Sequence, residues 1–264
     1  MPETHLSVDR PSPGVVVATL DNPDQRNAMT GPMTHAWDEL MTELADDRDL
    51  RVLVVTGAGS AFCSGGDTSW IAGEPHASVA DLRTRMLPFY RSWLSVLDLD
   101  VPTIAAVNGP AVGAGLCLAL ACDLRYAAAG ARFAAPFVRL GMHPAMAATW
   151  LLPEAVGLPI ARELLFTGRR VDADEALRIG LVSRVFASAD ELVAGSIAVA
   201  EQIAANGPVA VRLTAAGLRD GAHPSVEAAL QYEALAQPVT FATSDLTEGL
   251  AAAKERRPAH FTGG

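Results

Sequence analysis

Residues 108–123 read Asn-Gly-Pro-Ala-Val-Gly-Ala-Gly-Leu-Cys-Leu-Ala-Leu-Ala-Cys-Asp. An apolar run, 103–107, leads into this stretch, three glycines loosen its backbone, and a second apolar run follows. This order predicts a buried strand, a tight turn and the start of a buried helix. The first N–H groups of a helix lack partners within the helix and carry partial positive charge. The turn is therefore a candidate site for an oxygen that is, or becomes, negative.

The same order of elements occurs earlier in the chain. Residues 15–20 are rich in β-branched side chains and end in a turn, and residues 51–56 form a second strand-like run. Between them, Thr30 can start a helix, because apolar residues follow it at helical spacing: Met33, Ala36, Trp37, Leu40, Met41 and Leu44. Such alternation predicts an α/β protein with buried parallel strands. Towards the C-terminus, successive helices are predicted over 189–205, 208–219, 225–236 and 244–256.

The composition limits the possible functions. Half of the 264 residues are apolar and 19% are charged, which is typical of a globular protein. The net charge of −10 argues against general affinity for nucleic acid or for an anionic membrane. The chain has neither a signal-peptide pattern nor an uninterrupted apolar run of about 18 residues, so we expect no membrane span.

The three cysteines, Cys63, Cys117 and Cys122, fit neither a disulfide framework nor the paired spacing of a zinc site. We therefore expect a cytoplasmic protein without a metal site.

A second glycine-bearing turn lies at Phe62-Cys63-Ser64-Gly65-Gly66-Asp67. Alone, it would be an ordinary connection between a strand and a helix. Two glycine turns, each following a strand, can instead each place one backbone donor around a single point. Such a pair of donors stabilises a developing oxyanion.

At these two turns together the sequence resembles the enoyl-CoA hydratase/isomerase (crotonase) superfamily. That family has Phe-Cys-Ala-Gly-Ala-Asp-like and Ala-Val-Asn-Gly-x-Ala-x-Gly-Gly-Gly-like segments at about this separation. Further segments extend the resemblance over nearly the whole chain: Asn22-Pro23, Asn27-Ala28, residues 164–169, residues 176–182 and Glu248-Gly249.

The resemblance implies the crotonase (ClpP-like) fold, a spiral of ββα turns followed by a C-terminal helical region. We expect residues 1–200 to form the spiral core with an acyl-CoA site, and residues 201–264 to form a helical oligomerisation region. By resemblance this region builds homotrimers, often paired into hexamers. The superfamily hosts many reactions, so its motifs identify the family better than the reaction.

The resemblance also implies the site residues. The oxyanion-hole amides fall on Gly66 and on Ala114, where alanine keeps the N–H that the family's glycine supplies. Recognition of coenzyme A, as part of the substrate rather than as a permanent cofactor, falls on residues near these turns and on two cations: Arg26, Ser64, Gly66, Thr68 and Arg256. For Arg256, a solvated charge at a helix end is an equally good interpretation.

The acid/base residues differ from the family pattern. Hydratases of the family carry two glutamates that hold and activate water, and here these positions fall on Cys117 and Phe137. Adding water to a conjugated double bond needs both a base and an acid. We therefore expect the usual hydration route to be crippled. Cys117 is most simply a small buried hydrophobe. His143 is a candidate replacement, either as a catalyst or as a structural histidine bonded to a backbone carbonyl.

Two functions stay open at this point. The chain can be an enzyme that uses its oxyanion hole on an acyl-CoA, as a hydratase, an isomerase, a decarboxylase or a thioester hydrolase, the last two with His143. It can also be an acyl-CoA-binding protein without turnover, with Phe137 and Trp150 lining an apolar slot. A Rossmann or P-loop nucleotide site is excluded, because the glycines at 109, 113 and 115 do not follow either motif and no Lys-Ser/Thr comes after them.

Overall fold

The computed structural model describes residues 5–67, 77–219 and 225–264. Within them lie nine strands: β1 Leu6–Ser12, β2 Val15–Leu20, β3 Val52–Gly57, β4 Thr103–Val107, β5 Ala111–Val112, β6 Leu124–Ala128, β7 Arg132–Ala134, β8 Arg170–Asp172 and β9 Arg184–Phe186. The helices in the same ranges are α1 Gly31–Asp46, α2 Val79–Leu94, α3 Ala114–Ala121, α4 Ala148–Val156, α5 Leu158–Thr167, α6 Ala173–Arg178, α7 Ala189–Ala204, α8 Pro208–Arg219, α9 Val226–Phe241 and α10 Ser244–Glu255. Single 3-10 turns lie at Pro23–Gln25, Ser95–Asp98 and Phe137–Leu140.

The main sheet has the order β1-β2-β3-β4-β6-β9. Only β1 and β2 pair antiparallel, and every other neighbouring pair is parallel. Strands β3 and β4 are buried along their whole length, which agrees with their nearly continuous apolar sequence. The predicted α/β layering with buried parallel strands is confirmed.

A smaller sheet, in the order β5-β7-β8, lies beside the main one. Two isolated parallel bridges extend the same pattern towards the N-terminus, one between Met29 and Gly66 and one between Cys63 and Ala111. Each turn of the chain thus gives one strand to the main sheet and a short extended segment to the second layer. This repeat is the spiral, and it brings successive strand-to-helix turns side by side.

Helix α1 follows the sequence prediction closely. The Thr30 side chain caps it by accepting from the Met33 N–H at 3.4 Å, and a proline occupies its first turn. All six residues of the predicted apolar stripe are buried. On this face the Trp37 ring stacks on Trp93 of α2 with ring centroids 5.2 Å apart.

The C-terminal helices differ from prediction mainly at their ends. Helix α9 continues to Phe241, five residues beyond the predicted end, with Pro238 inside its last turn. Helix α8 is anchored to the core through Arg219, whose guanidinium contacts the Asp123 carboxylate at 2.5 and 2.7 Å. Helix α7 packs on β2, β3, β4 and β6, so the predicted boundary at residue 200 falls within a helix that covers the main sheet.

Candidate active site

The two glycine turns lie directly against each other. Val112 donates its N–H to the Cys63 carbonyl at 3.0 Å. A Cβ atom at Gly115 would lie 2.2 Å from the same carbonyl oxygen, so only glycine fits there. Gly65 has a φ of +102°, and a Cβ atom at this position would lie 3.4 Å from the Ala114 nitrogen. The start of helix α3, at the second turn, therefore lies directly against the first glycine turn.

Each turn offers one backbone N–H. Among the described residues, neither the Gly66 nor the Ala114 nitrogen donates to any acceptor, whereas Gly113 donates to the Ala134 carbonyl at 2.9 Å. Ala114 is the first residue of α3, so its N–H is one of the unpaired donors at that helix start. Two donors at adjoining turns are the arrangement that stabilises a negative oxygen.

Cys117 lies about one helical turn beyond Ala114 and is buried in the core. Its side chain is 1% exposed, and its thiol donates to the Ala145 carbonyl at 3.5 Å. Burial raises the pKa of Cys117 to about 12, because a thiolate would be poorly solvated there. The thiol is thus a small, protonated, buried group, as the sequence indicated.

Phe137 is the second residue predicted to replace a family glutamate. The side chain is buried, and its ring would lie 3.8 Å from a Cβ atom at Gly113. The ring therefore packs over the second glycine turn. Both residues predicted to replace glutamates are thus uncharged and buried.

His143 lies in an exposed loop between Phe137–Leu140 and α4. Its Nδ1 is 2.7 Å from the Pro144 carbonyl oxygen, which can only accept, so Nδ1 carries the proton in this contact. The Nε2 atom is left for another partner. Met146 and Ala147 follow in the left-handed region, with φ of 48° and 55°. A catalytic role for His143 stays a prediction.

Arg26 and Ser64, two of the predicted coenzyme A contacts, are neighbours. Ser64 donates its N–H to the Arg26 carbonyl at 3.0 Å, and its hydroxyl donates to the Gln25 carbonyl at 3.2 Å. Buried Asn27 holds this loop to the first glycine turn, with Nδ2 donating to the Ala61 carbonyl at 2.8 Å. The exposed Arg26 side chain thus stands at the rim of that turn.

Two further predicted contacts with coenzyme A are Thr68 and Arg256. Thr68 lies outside the described residues. Arg256 is the exposed left-handed C-cap of α10, and within the described ranges no hydrogen bond or ion pair joins it to either glycine turn. Its neighbour Arg257 is held by Glu248 at 2.6 Å and by Glu255 at 2.7 Å.

Two aromatic residues of α2, Phe89 and Tyr90, pack against the main core. Phe89 lines a cavity of about 540 Å³ next to the first glycine turn, together with Met29, Gly31, Thr34, His35, Asp38 and Asp67. Tyr90 is partly buried against the same core cluster as Cys117. Neither residue carries a local signal in the sequence, because only the packing of α2 brings them here.

The fold and the two turns define the class of this protein, an α/β spiral in which two glycine turns adjoin, each with a backbone N–H that donates to no described residue. The family model for enoyl-CoA hydratase/isomerase matches residues 10–264, so the chain belongs to that family. The predicted crotonase spiral with a helical C-terminal region is confirmed.

Individual relatives agree with this assignment. The chain is 42% identical over 215 residues to a probable enoyl-CoA hydratase, EchA14, of Mycobacterium tuberculosis, covering 80% of this chain and 81% of that protein. It is 35% identical to the crotonyl-CoA hydratase of Syntrophomonas wolfei, over 94% of each chain. The crystal structure of an enoyl-CoA hydratase from Bacillus anthracis superposes with a TM-score of 0.92 at 34% identity, covering 98% of this chain and 100% of that one.

Two searches of the described residues bear on membranes and metals. No helix in these ranges is both long enough and apolar enough to cross a membrane. Likewise, the described part of the chain has no group of three or more His, Cys, Asp or Glu side chains placed to hold a metal ion.

Proposed function

We propose that this protein is an enzyme that binds an acyl-CoA and stabilises the oxyanion of its thioester carbonyl between the N–H groups of Gly66 and Ala114. The observation that carries the proposal is the pair of unpaired N–H groups at adjoining glycine turns. Each such donor contributes about 3 to 4 kcal/mol at the transition state of an acyl-transfer reaction. The names of the relatives supply the substrate class, a thioester of coenzyme A.

The residues around this point disfavour hydration by the usual route. A water molecule that attacks a conjugated acyl chain must be oriented by a base, and the α-carbon must be protonated by an acid. Cys117 and Phe137 supply neither group, because one is a buried protonated thiol and the other a hydrocarbon ring. Reactions that need mainly the oxyanion hole, decarboxylation or thioester hydrolysis, place fewer demands on the site, and His143 is the candidate for their polar group.

The same two residues favour a second candidate function, an acyl-CoA-binding protein without turnover. Phe137 and the buried Cys117 make the acyl side of the site apolar, which suits binding of a chain more than proton transfer. Trp150, the other proposed lining residue, is 68% exposed.

For coenzyme A itself, we propose Arg26 as a phosphate-binding cation beside Ser64. The exposed Arg26 side chain and the proximity of both residues to Gly66 support this role. Arg256 is the second proposed cation. Arg257 is already engaged by two glutamates, which leaves Arg256 as the better phosphate ligand of the two.

We further propose that α8, α9 and α10 join copies of the chain into a homotrimer, which can pair into a hexamer. Helix α9 supports this, because none of its described residues is buried while it exposes five large apolar side chains: Val226, Leu230, Leu235, Val239 and Phe241. An apolar helix without a buried face normally has a partner.

The experiment that tests the oxyanion hole removes one N–H and keeps the helix. Proline is tolerated at the first helical position, so Ala114→Pro deletes the donor there. Because Gly113 before it has φ 57° and ψ −118° rather than the extended backbone that usually precedes proline, the melting temperature checks that the variant is folded. Ala189→Pro, at the first position of α7, is the matched control. Binding of a panel of acyl-CoAs is titrated by calorimetry while loss of substrate and release of free thiol are followed.

We expect Ala114→Pro to lower turnover by about 10²- to 10³-fold, with Ala189→Pro near the wild type. Unchanged turnover in Ala114→Pro would contradict the proposal. Tight acyl-CoA binding by the wild type without any turnover, unaffected by His143→Ala, would establish the second candidate instead. Fast crotonyl-CoA hydration would show that a group other than the two family carboxylates activates water.

A further inference from the structure

The sequence contains two Asn-Gly pairs, at 108–109 and at 206–207. In such a pair the glycine nitrogen can attack the side-chain carbonyl carbon of the asparagine, because glycine has no Cβ atom to hinder the approach. A new C–N bond forms, the bond to the side-chain nitrogen breaks, and ammonia leaves with the glycine proton. Water then opens the succinimide ring and leaves aspartate or isoaspartate. Asparagine is thermolabile, and the surrounding structure decides which pair reacts.

The fold holds the Asn108 side chain at both ends of its amide. Its Oδ1 accepts from the Gly57 N–H at 3.1 Å, and its Nδ2 donates to two backbone carbonyls at 3.1 and 3.2 Å. The following Gly109 is buried, and a Cβ atom there would lie 2.3 Å from the Ser60 carbonyl oxygen. The Asn108 amide must therefore break its hydrogen bonds within a tightly packed turn before it can reach the Gly109 nitrogen.

Asn206 lies in the exposed connection between α7 and α8. Its Nδ2 donates to the carbonyls of Gln202 at 2.7 Å and Ile203 at 3.5 Å, while its Oδ1 accepts from no described residue. The Gly207 nitrogen likewise donates to no described acceptor. This amide is held at one end only, beside a nitrogen without a described partner, so it can turn towards that nitrogen more readily than Asn108 can.

Two arginines border Asn206. It lines a small cavity of about 10 Å³ together with Arg51 and Arg212, and in a space of this size the three residues are close neighbours. Within the described ranges, the Arg51 Nη1 and Arg212 Nε atoms are buried and have no hydrogen-bond partner. Asp49 and Asp100 line a larger cavity with the same arginines but form no ion pair with them. A carboxylate at position 206 would supply these donors with an acceptor.

One further carboxylate stands near this connection. The Asp245 Oδ2 atom would lie 3.8 Å from a Cβ atom at Gly207. Both Asp245 oxygens already accept from backbone N–H groups, Oδ1 from Thr262 at 2.8 Å and Oδ2 from Gly263 at 2.9 Å. The charge of Asp245 is thus compensated, whereas the two guanidinium donors are not, so the surroundings favour a new negative charge at position 206.

We propose that Asn206 is a deamidation site and that its aspartate product pairs with Arg51 and Arg212. The modification adds one negative charge where α7, which covers the main sheet, connects to the last three helices. It needs only water as a co-reactant and does not depend on the reaction at the oxyanion hole.

The first experiment follows both asparagines in one sample. The folded protein is incubated in warm neutral buffer and digested with trypsin, and mass spectrometry follows peptides 92–125 and 185–212, each of which contains a single asparagine. Deamidation adds about one dalton, and isoaspartate in the product marks the succinimide route. We expect Asn206 to react at least about 10-fold faster than Asn108, because more hydrogen bonds must open at Asn108. In guanidinium the two rates should approach each other.

Gly207→Ala tests the attacking nitrogen. A Cβ atom at this position meets only ordinary contacts, the nearest at 3.8 Å, so the variant should keep the melting temperature of the wild type. We expect deamidation of Asn206 to slow several-fold while that of Asn108 stays unchanged. Equal rates at the two asparagines in the folded wild type, or an unchanged Asn206 rate in Gly207→Ala, would overturn the deamidation site.

Asn206→Asp tests the pairing, because it carries the product without the reaction. Its melting temperature should rise by about 1 to 3 °C. The same substitution should give no rise when it is made in Arg51→Gln. Asn108→Asp is the matched control, and its melting temperature should fall because the new carboxylate cannot donate to the two carbonyls that Asn108 binds. A rise that persists in Arg51→Gln, or no rise in Asn206→Asp, would overturn the pairing.

Discussion

At the scale of single residues, the two positions predicted to differ from the family pattern, Cys117 and Phe137, hold uncharged and buried side chains. A buried carboxylate would need partners to stay ionised, whereas a thiol and a phenyl ring need only packing. These two positions therefore contribute neutral groups beside the second glycine turn.

The protonation of the thiols gives a direct prediction. Burial raises the pKa of Cys63, Cys117 and Cys122 to about 12 each, so at pH 8 only about 10⁻⁴ of each thiol is ionised. We expect the native protein to react with Ellman's reagent far more slowly than a free thiol, and to release three equivalents once it is unfolded in guanidinium.

A surface thiol provides the control for this measurement. Ala253 is exposed on α10, so Ala253→Cys should add one equivalent that reacts immediately in the native state. Rapid native modification that disappears in Cys117→Ala would mean that Cys117 is accessible and ionised, and it would return this residue to consideration as a nucleophile.

At the scale of elements, the start of α4 carries conformational strain beside the site. Ala147 is the residue before the helix and has φ 55° and ψ 20°, a left-handed conformation that costs a residue with a Cβ about 1 to 2 kcal/mol. Glycine adopts this conformation without that cost but loses about 0.5 to 1 kcal/mol more in conformational entropy. We expect Ala147→Gly to raise the free energy of unfolding by about 0.5 to 1 kcal/mol, measured as a higher melting temperature.

Ala148 is the matched control, because it is the first helical residue of α4 and is buried. Ala148→Gly removes a packed methyl group and adds flexibility, so it should lower the melting temperature. A lower melting temperature in Ala147→Gly as well would show that the alanine methyl at this position stabilises the turn by more than its strain.

The sequence predicted the bounds of helices and strands more accurately than it predicted how these elements pack. Periodic apolar residues and a Thr30 cap predicted helix α1. Short apolar runs predicted both the first and the last residue of β2 and of β4 correctly. The end of α9 was placed too early, at 236, because the proline at 238 reads locally as a terminator although the helix continues past it for three residues. Local signals act over a few residues, and they do not report on packing.

At the scale of the whole molecule, the exposed apolar face of α9 predicts assembly. Leu235 is 76% exposed, and in a packed trimer interface an aspartate at this position would be an unpaired charge removed from water. We expect Leu235→Asp to shift the mass measured by light scattering from a multiple of three chains towards a single chain.

Val79→Asp serves as the control, because Val79 is 83% exposed at the start of α2, where a carboxylate suits a helix N-terminus. Its mass should equal that of the wild type. A wild-type protein that is a single chain at micromolar concentration would contradict the predicted trimer.

The sequence alone determined the family, the alternation of strands and helices, and the two glycine turns. It also predicted, by resemblance, that Cys117 and Phe137 stand where the family's hydratases carry glutamates. These features follow from residue type and spacing along the chain. The tertiary structure decided the rest, because burial and hydrogen-bond partners depend on segments that are distant in sequence. It left the N–H groups of Gly66 and Ala114 without described partners and buried Cys117 against the Ala145 carbonyl.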